Sequence, residues 1–216
     1  MEHIHDYLRS SRKDYGSDFL DLTKASEDPF LLFGAWLEMA IETGENEPHG
    51  MVLSTTDGRN RPSSRVVLLR GFSHEGFTFY TNYASRKGLQ LQANPAAALN
   101  FYWASLEKQV RIEGLVSKIA PEQSEAYFAS RPRESQIGAW ASLQSRHLTD
   151  RSELEQKVEN LTKEFADKDV PRPSDWGGYV IKPDYFEFWQ GRQSRLHDRL
   201  EYKLEGGQWV ISRLYP

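Results

Sequence analysis

The chain contains no cysteine. Disulfides, iron–sulfur clusters and cysteine zinc sites are excluded, and with them a small secreted fold held by disulfide staples. No apolar run approaches the roughly 20 residues of a membrane span. The first ten residues include Glu2 and Asp6 and do not read as a secretory signal. The expected compartment is the cytoplasm, with no membrane partner. Positive charge is not in excess: 27 Lys and Arg stand against 31 Asp and Glu, for a net charge of -4 and a pI of about 5.9. A nucleic-acid partner is therefore not expected, and any anion must be captured by a local basic cluster. No Gly-x-Gly-x-x-Gly or Walker-type loop appears, so a nucleotide-like cofactor would not sit in a Rossmann or P-loop site. Of the six histidines, His3 and His5 lie at the terminus and the rest are scattered, so no metal site is expected. There is no internal repeat.

What is present suits one domain with helical additions: 216 residues, 38% hydrophobic and 27% charged. Asp28-Pro29 reads as a helix start, and Phe30, Phe33, Leu37 and Ile41 follow at helical spacing towards Gly44. From Met51 the pattern turns to strands. Met51 to Thr56 is closed by Asp57-Gly58, a hairpin signal. Arg65 to Arg70 reads as a strand buried on both faces. Phe77 to Thr81 is another strand, and a short helix runs from Ser85 to Asn94. Ala96 to Trp103 and Lys108 to Ile119 form a further pair. Pro121 opens a helix and Asp150 caps a longer one, with Leu154, Val158, Leu161 and Phe165 on one face. Val170 to Gly178 reads as a loop. Strands then cover Tyr179 to Ile181, Tyr185 to Trp189, Leu196 to Leu204, and Trp209 to Leu214. Short strands with turns between them point to an antiparallel barrel, and the helices make the class α+β.

Four groups of charge call for explanation. Arg195, His197 and Arg199 would share one strand face. They repel each other unless they meet water or an anion, and Tyr185, Phe186, Phe188 and Trp189 precede them. Ser85-Arg86-Lys87, at a helix start, offers phosphate both backbone N–H groups and cations. The alternative for either group is ordinary solvated charge. Arg65 and Arg70 fall on opposite faces of a regular strand and would serve different partners, unless they are only charged strand ends. Tyr127, Arg131 and Ser135 recur at four-residue intervals, a spacing that suits a phosphate clamp. The competing reading is a helix end broken by Pro132. Gln144-Ser145-Arg146-His147 reads as polar loop.

Taken in order, these segments resemble the pyridoxine/pyridoxamine 5′-phosphate oxidase family. The resemblance rests on Arg-Val-Val-Leu-Leu-Arg from Arg65, Phe-Tyr-Thr-Asn from Phe79 and Ser-Arg-Lys from Ser85. It continues through the run from Ser130 to Trp140, then Trp-Gly-Gly-Tyr from Trp176, Phe-Trp-Gln-Gly from Phe188 and Arg-Leu-His-Asp-Arg from Arg195. It covers about residues 45 to 216, and the N-terminal helices more weakly. It implies an FMN-binding antiparallel split β-barrel over residues 45–216, with inserted helices and a helical segment, 1–44, packed on it. It implies a homodimer with FMN at the interface. The implied reaction oxidises pyridoxamine or pyridoxine 5′-phosphate to pyridoxal 5′-phosphate, with O2 reduced to H2O2.

The implied FMN contacts are Arg65, Val66, Val67, Leu68, Leu69 and Arg70, then Tyr80, Thr81, Arg86, Lys87, Gln109, Gln144, Ser145, Trp189 and Arg199. The implied substrate phosphate site is Arg70, Tyr127, Arg131 and Ser135. Arg195, Leu196 and His197 would face the substrate ring, Arg195 and His197 as the catalytic pair. Arg12, Lys13, Asp14 and Tyr15 would add a contact from the N-terminal segment. The family usually has lysine where this chain has Arg70. Arginine keeps the charge and can bind phosphate in a bidentate way, but it is bulkier and planar. A flavin- or haem-holding binding module and a nicotinamide-dependent flavin reductase are the competing readings. The intact Arg195-Leu196-His197-Asp198-Arg199 run argues for the oxidase.

Overall fold

A computed structural model describes residues 2–10, 15–16, 19–21 and 25–216. Its contacts group into two compact units. Unit 1 holds residues 1–48, 101–111 and 185–216, and unit 2 holds 49–100 and 112–184. The helices are α1 (Glu2–Ser10), α2 (Pro29–Glu42), α3 (Arg86–Ala93), α4 (Pro121–Ser130), α5 (Arg133–Ala141) and α6 (Arg151–Glu164). The strands are β1 (Gly50–Thr56), β2 (Pro62–Leu68), β3 (Gly71–Ser73), β4 (Gly76–Asn82), β5 (Ala96–Trp103), β6 (Lys108–Lys118), β7 (Trp176–Gln190), β8 (Asp198–Glu205) and β9 (Gln208–Leu214).

In unit 1, α2 starts where Asp28 predicts. The Asp28 carboxylate accepts the Phe30 N–H at 2.8 Å, and Pro29 occupies the first turn. The aromatic face of α2 is buried in steps along the strands. Phe30 meets Phe186 edge-on at 5.2 Å, Phe33 meets Phe101 at 5.0 Å and Trp36 meets Phe188 at 5.3 Å. Each such side chain contributes about 1.5–3 kcal/mol by leaving water. β7, β8 and β9 then form an antiparallel meander whose last turn is Gly206-Gly207, both at positive φ.

In unit 2 the strands run in the order β2-β1-β5-β6-β7-β4-β3. The β1–β2 register starts at Thr56↔Pro62, because Asp57 Oδ1 closes the turn by accepting the N–H groups of Arg59 and Arg61. A separate core under α4 to α6 joins Phe128, Ile137, Phe165, Val170 and Trp176.

Several sequence expectations are corrected. The Arg65–Arg70 run is not a strand buried on both faces. β2 ends at Leu68, lies at the end of the strand order, and leaves Val66 66% exposed. An apolar run does not by itself separate an edge strand from a central one. Arg70 follows the strand instead of closing it, so the opposite-face argument does not apply. The loop expected over Val170 to Gly178 stops at Asp175, and the two strands expected around Pro183 are one. β7 pairs with β4 through Ile181 and with β8 from Tyr185. Pro183 falls where that edge changes partner, so its missing N–H interrupts neither ladder. The strand expected from Leu196 begins at Asp198. Residues Gln193–Arg195 form a short 3-10 turn in which Ser194 and Arg195 have φ of 55° and 63°. Arg195, His197 and Arg199 therefore do not project from one regular strand face. Finally, Pro132 ends α4, so Ser135 belongs to α5 and not to the helix that carries Tyr127.

Candidate active site

In unit 2 a cleft of about 290 Å³ is lined by Val66, Val67, Leu68, Arg70, Tyr80, Thr81, Lys87, Tyr127, Arg131, Gln144 and Trp176. β2 and the residues after it supply one wall, β4 the floor, and α4 with its C-terminal residue the other wall. Arg131 sits where α4 stops. Its guanidinium carbon lies 4.6 Å from the centre of the Trp176 ring, and its Nη1 is buried without a hydrogen-bond partner among the described residues. Burial pushes the Arg131 pKa down; Tyr127 opposes that shift and Arg70 adds to it. A buried, unpaired guanidinium N–H is costly. An anion bound beside Arg70 and Tyr127 would satisfy it.

The Lys87 ammonium donates to Thr81 Oγ1 at 3.1 Å and to Gln144 Oε1 at 2.7 Å. Burial, with Arg65 adding, pulls its pKa down to about 8. Arg86 lies one residue closer to the helix start, beside Ser145 and Arg146 in a neighbouring cavity of about 590 Å³. Arg65 is lowered by burial and by Arg86. The three cations expected to form one cluster are thus close enough to repel one another. Arg86 and Lys87 open α3, whose first-turn N–H groups have no partner within the helix, that of Gly88 being taken by Ser85 Oγ. This donor set fits a phosphate dianion, and so the phosphate end of FMN.

Arg65 is also braced from within. It donates to Thr55 Oγ1 and Ser63 Oγ, both at 2.6 Å, and to Gln90 Oε1 at 3.2 Å. Gln90 Oε1 further accepts the Thr55 and Ser63 hydroxyls. Gln90 escapes a sequence reading, since a glutamine one turn into a helix carries no signal by itself, and Trp176 enters the sequence reading only as part of the Trp-Gly-Gly-Tyr run. Ser135 does not line the cleft. Leu69 is buried, its N–H on His49 O at 2.9 Å.

Unit 1 carries the remaining candidates. Trp189 and His197 rings lie 4.6 Å apart, and Tyr15 meets both edge-on at 5.6 and 5.4 Å. The Arg192 N–H donates to His197 Nδ1 at 3.0 Å. The neutral ring therefore carries its proton on Nε2, which is left as a donor. Burial lowers the His197 pKa, with Arg195 adding to the shift. Arg195 and Leu196 are exposed at the turn, and Gln109 lies on β6. Arg199 is held by a bidentate pair to Glu187 at 2.9 and 3.0 Å, and its Nη1 reaches Tyr215 O. Glu187 raises the Arg199 pKa and also binds Arg111 at 3.0 Å. Arg12, Lys13 and Asp14 lie outside the described residues.

The Glu187 side chain is 3% exposed. Glu187→Ala is expected to strand two guanidinium groups and lower unfolding free energy by about 2–4 kcal/mol, read from urea midpoints at constant m. The lower end applies because Arg111 remains partly solvated. An unchanged midpoint would show the pair to be idle.

Residues 37–164 match the family model described as pyridoxamine 5′-phosphate oxidase. Residues 176–216 match the pyridoxine 5′-phosphate oxidase C-terminal dimerisation region. A pyridoxine/pyridoxamine 5′-phosphate oxidase of Rubrobacter xylanophilus is 50% identical, covering 97% of this chain and 96% of the relative. The chain belongs to the pyridoxine/pyridoxamine 5′-phosphate oxidase family. It is thereby an enzyme of the oxidoreductase class. A second family relative of that name, from Paraburkholderia phymatum, is 50% identical over 97% of this chain and 99% of its own. Among solved structures, PhzG from Burkholderia lata, in complex with tetrahydrophenazine-1-carboxylic acid, superposes with a TM-score of 0.88 at 28% identity, covering 94% of this chain and all of that one. An FMN-binding protein of Nostoc punctiforme, related to the oxidase family, shares the fold at a TM-score of 0.70 and 17% identity, with coverage of 89% and 100%. The fold class expected from the sequence, α+β with an antiparallel split barrel and peripheral helices, is the one found.

Proposed function

We propose that this family member is an FMN-dependent oxidase that converts pyridoxamine and pyridoxine 5′-phosphates to pyridoxal 5′-phosphate, reducing O2 to H2O2. The reading includes a homodimer with FMN at its interface, acting in the cytoplasm. The observation that carries it is the unpaired Arg131 Nη1 in a cleft shared with Arg70 and Tyr127, a place built for a phosphate. Relatives at 50% identity bear the name of this activity.

FMN, when bound, supplies a two-electron acceptor that O2 can re-oxidise. The chain's own groups hold and orient. Lys87, Arg86 and the α3 N-terminus take the flavin phosphate, braced by Arg65. Arg131, Arg70 and the Tyr127 hydroxyl take the substrate phosphate, which fixes the ring by its phosphate arm. His197 carries its proton on Nε2, so it serves as a hydrogen-bond donor that positions the substrate. With Nδ1 engaged by Arg192 N–H, its neutral form is not set up as the general base. Arg195, at a left-handed turn beside it, adds a cation to the same group.

Two measurements test this reading. Purified protein under air should consume O2 with pyridoxamine 5′-phosphate and release FMN on denaturation. Reduced nicotinamide should support no uptake. Uptake with the nicotinamide alone would replace the oxidase by a flavin reductase, and no uptake with either would leave a binding module. Arg195→Met should lower kcat at least about tenfold while FMN stays bound, since it acts at the substrate and not at the flavin phosphate. Wild-type turnover in that variant would remove Arg195 from the site.

A further inference from the structure

The Trp176-Gly177-Gly178 run contributes none of the flavin or substrate contacts assigned above. We propose that Trp176 is a positioning residue for the phosphate site: its indole holds the Arg131 guanidinium and the Tyr127 ring in place to receive the phosphate. This rests on reading the unit 2 cleft as the substrate phosphate site.

Trp176 is 7% exposed and belongs to the core formed with Phe128, Ile137, Phe165 and Val170, yet it also lines the cleft. Tyr80 and Tyr127 stack at 3.8 Å with planes 15° apart. The Trp176 ring lies nearly parallel beside this pair, 5.6 Å from Tyr80 and 6.2 Å from Tyr127, with planes 11° and 4° apart. Arg131, with its guanidinium carbon 4.6 Å from the same indole centre, lies beyond the last helical turn of α4. No hydrogen bond ties its buried Nη1. The cation rests on the Trp176 indole, with the Phe128 ring 5.6 Å from the same guanidinium carbon.

The backbone is arranged to put the indole there. A Cβ at Gly177 would strike the Tyr83 hydroxyl, and one at Gly178 would strike the Ile119 side chain and come within 2.9 Å of Tyr80. Glycine at both positions leaves room for the Tyr83, Ile119 and Tyr80 side chains to pack against β7. At the other end Arg172 bonds the Trp176 carbonyl at 2.6 Å and pairs with Glu125 of α4 at 2.8 Å. The start of β7 is thus tied to the helix that ends at Arg131. An ordinary core tryptophan would need neither the parallel tyrosines nor the arginine on its face.

The test is a mutant cycle on the FMN-loaded enzyme, followed by O2 uptake with pyridoxamine 5′-phosphate. Trp176→Leu should raise KM about tenfold with kcat within about threefold, and Trp176→Phe should restore most of the loss. In an Arg131→Met background, Trp176→Leu should lower kcat/KM by less than about twofold, because the group it holds is gone. A purely structural tryptophan would instead lower thermal stability and flavin retention, and its effect would multiply with that of Arg131→Met. Full multiplication, or an unchanged KM, overturns the proposal. Should Trp176→Leu fail to fold, the Trp176→Phe cycle is read by the same criteria. The same four proteins titrated with inorganic phosphate separate the two readings. Coupled loss of phosphate binding in a protein that consumes no O2 would overturn the assigned reaction and leave the positioning role standing.

Discussion

Replacing Arg131 with methionine is expected to raise KM for pyridoxamine 5′-phosphate by about 100-fold, with a smaller change in kcat. Arg131 presents a buried N–H with no other partner among the described residues, and its charge is already disfavoured by burial and by Arg70. A phosphate that satisfies both demands gains more than it would at a solvated arginine. Losing one partner of such a buried charged contact costs about 2–5 kcal/mol, so 100-fold, near 2.7 kcal/mol, lies in the lower half of that range. The phosphate is remote from the carbon that reacts, so the loss falls mainly on binding. The check is steady-state O2 uptake, with unphosphorylated pyridoxamine as a second substrate. That substrate should react no worse with the variant than with the wild type. An equal loss for both would place Arg131 in general folding and not in phosphate recognition.

Lys87→Met is expected to weaken FMN binding by about 2–3 kcal/mol, roughly 30- to 150-fold, the scale of a charge-assisted hydrogen bond. The pH dependence is the sharper readout. The folded-state pKa of Lys87 is depressed to about 8, below its ordinary value. Below about pH 8 the unliganded site already carries the proton that the flavin phosphate needs. As pH rises through 8, binding must take up a proton, so affinity falls by up to about tenfold per pH unit. The flavin phosphate is fully ionised across this window and does not contribute. Among the neighbours with shifted pKa values, Arg65 stays charged and Tyr80, whose pKa is raised by burial, stays neutral. Flavin fluorescence titrations at pH 7 to 9.5 should show this slope in the wild type and a flat profile in Lys87→Met. A wild-type profile that is itself flat would mean that Lys87 does not bind the phosphate.

The sign for stability runs the other way. With a lowered lysine pKa, the unfolded chain binds more protons between about pH 8 and the unperturbed value. The flavin-free protein therefore gains stability as pH rises through that window, where flavin affinity declines.

Local sequence was a good guide wherever a single residue carries its own geometry. Asp28, Ser85 and Asp150 cap the helices they precede, because a short polar side chain accepts the first free N–H groups whatever the distant surroundings. Asp57 set a turn and through it the β1–β2 register. The basic residues of the candidate site were visible as charge in an acidic chain with no other use for it. Which partners those charges meet was not visible. Arg199 looked like one of three adjacent cations on a strand, and it is neutralised by Glu187, 12 residues earlier on the paired strand β7. Arg195 leaves the strand pattern for a left-handed turn. Tyr127, Arg131 and Ser135 share a spacing, and only the first two share the cleft.

The sequence by itself determined the family, the class of fold, the starts of α2, α3, α4 and α6 and the supply of cations for phosphate. Those properties depend on residue type and near-neighbour spacing. Tertiary structure alone decided that the Arg131 Nη1 is buried without a partner among the described residues, that the Lys87 pKa is depressed by burial and Arg65, and that Trp176 lies beneath the guanidinium. Desolvation and charge coupling depend on which atoms the fold brings within a few ångströms, and positions 87, 131 and 176 are far apart in the chain.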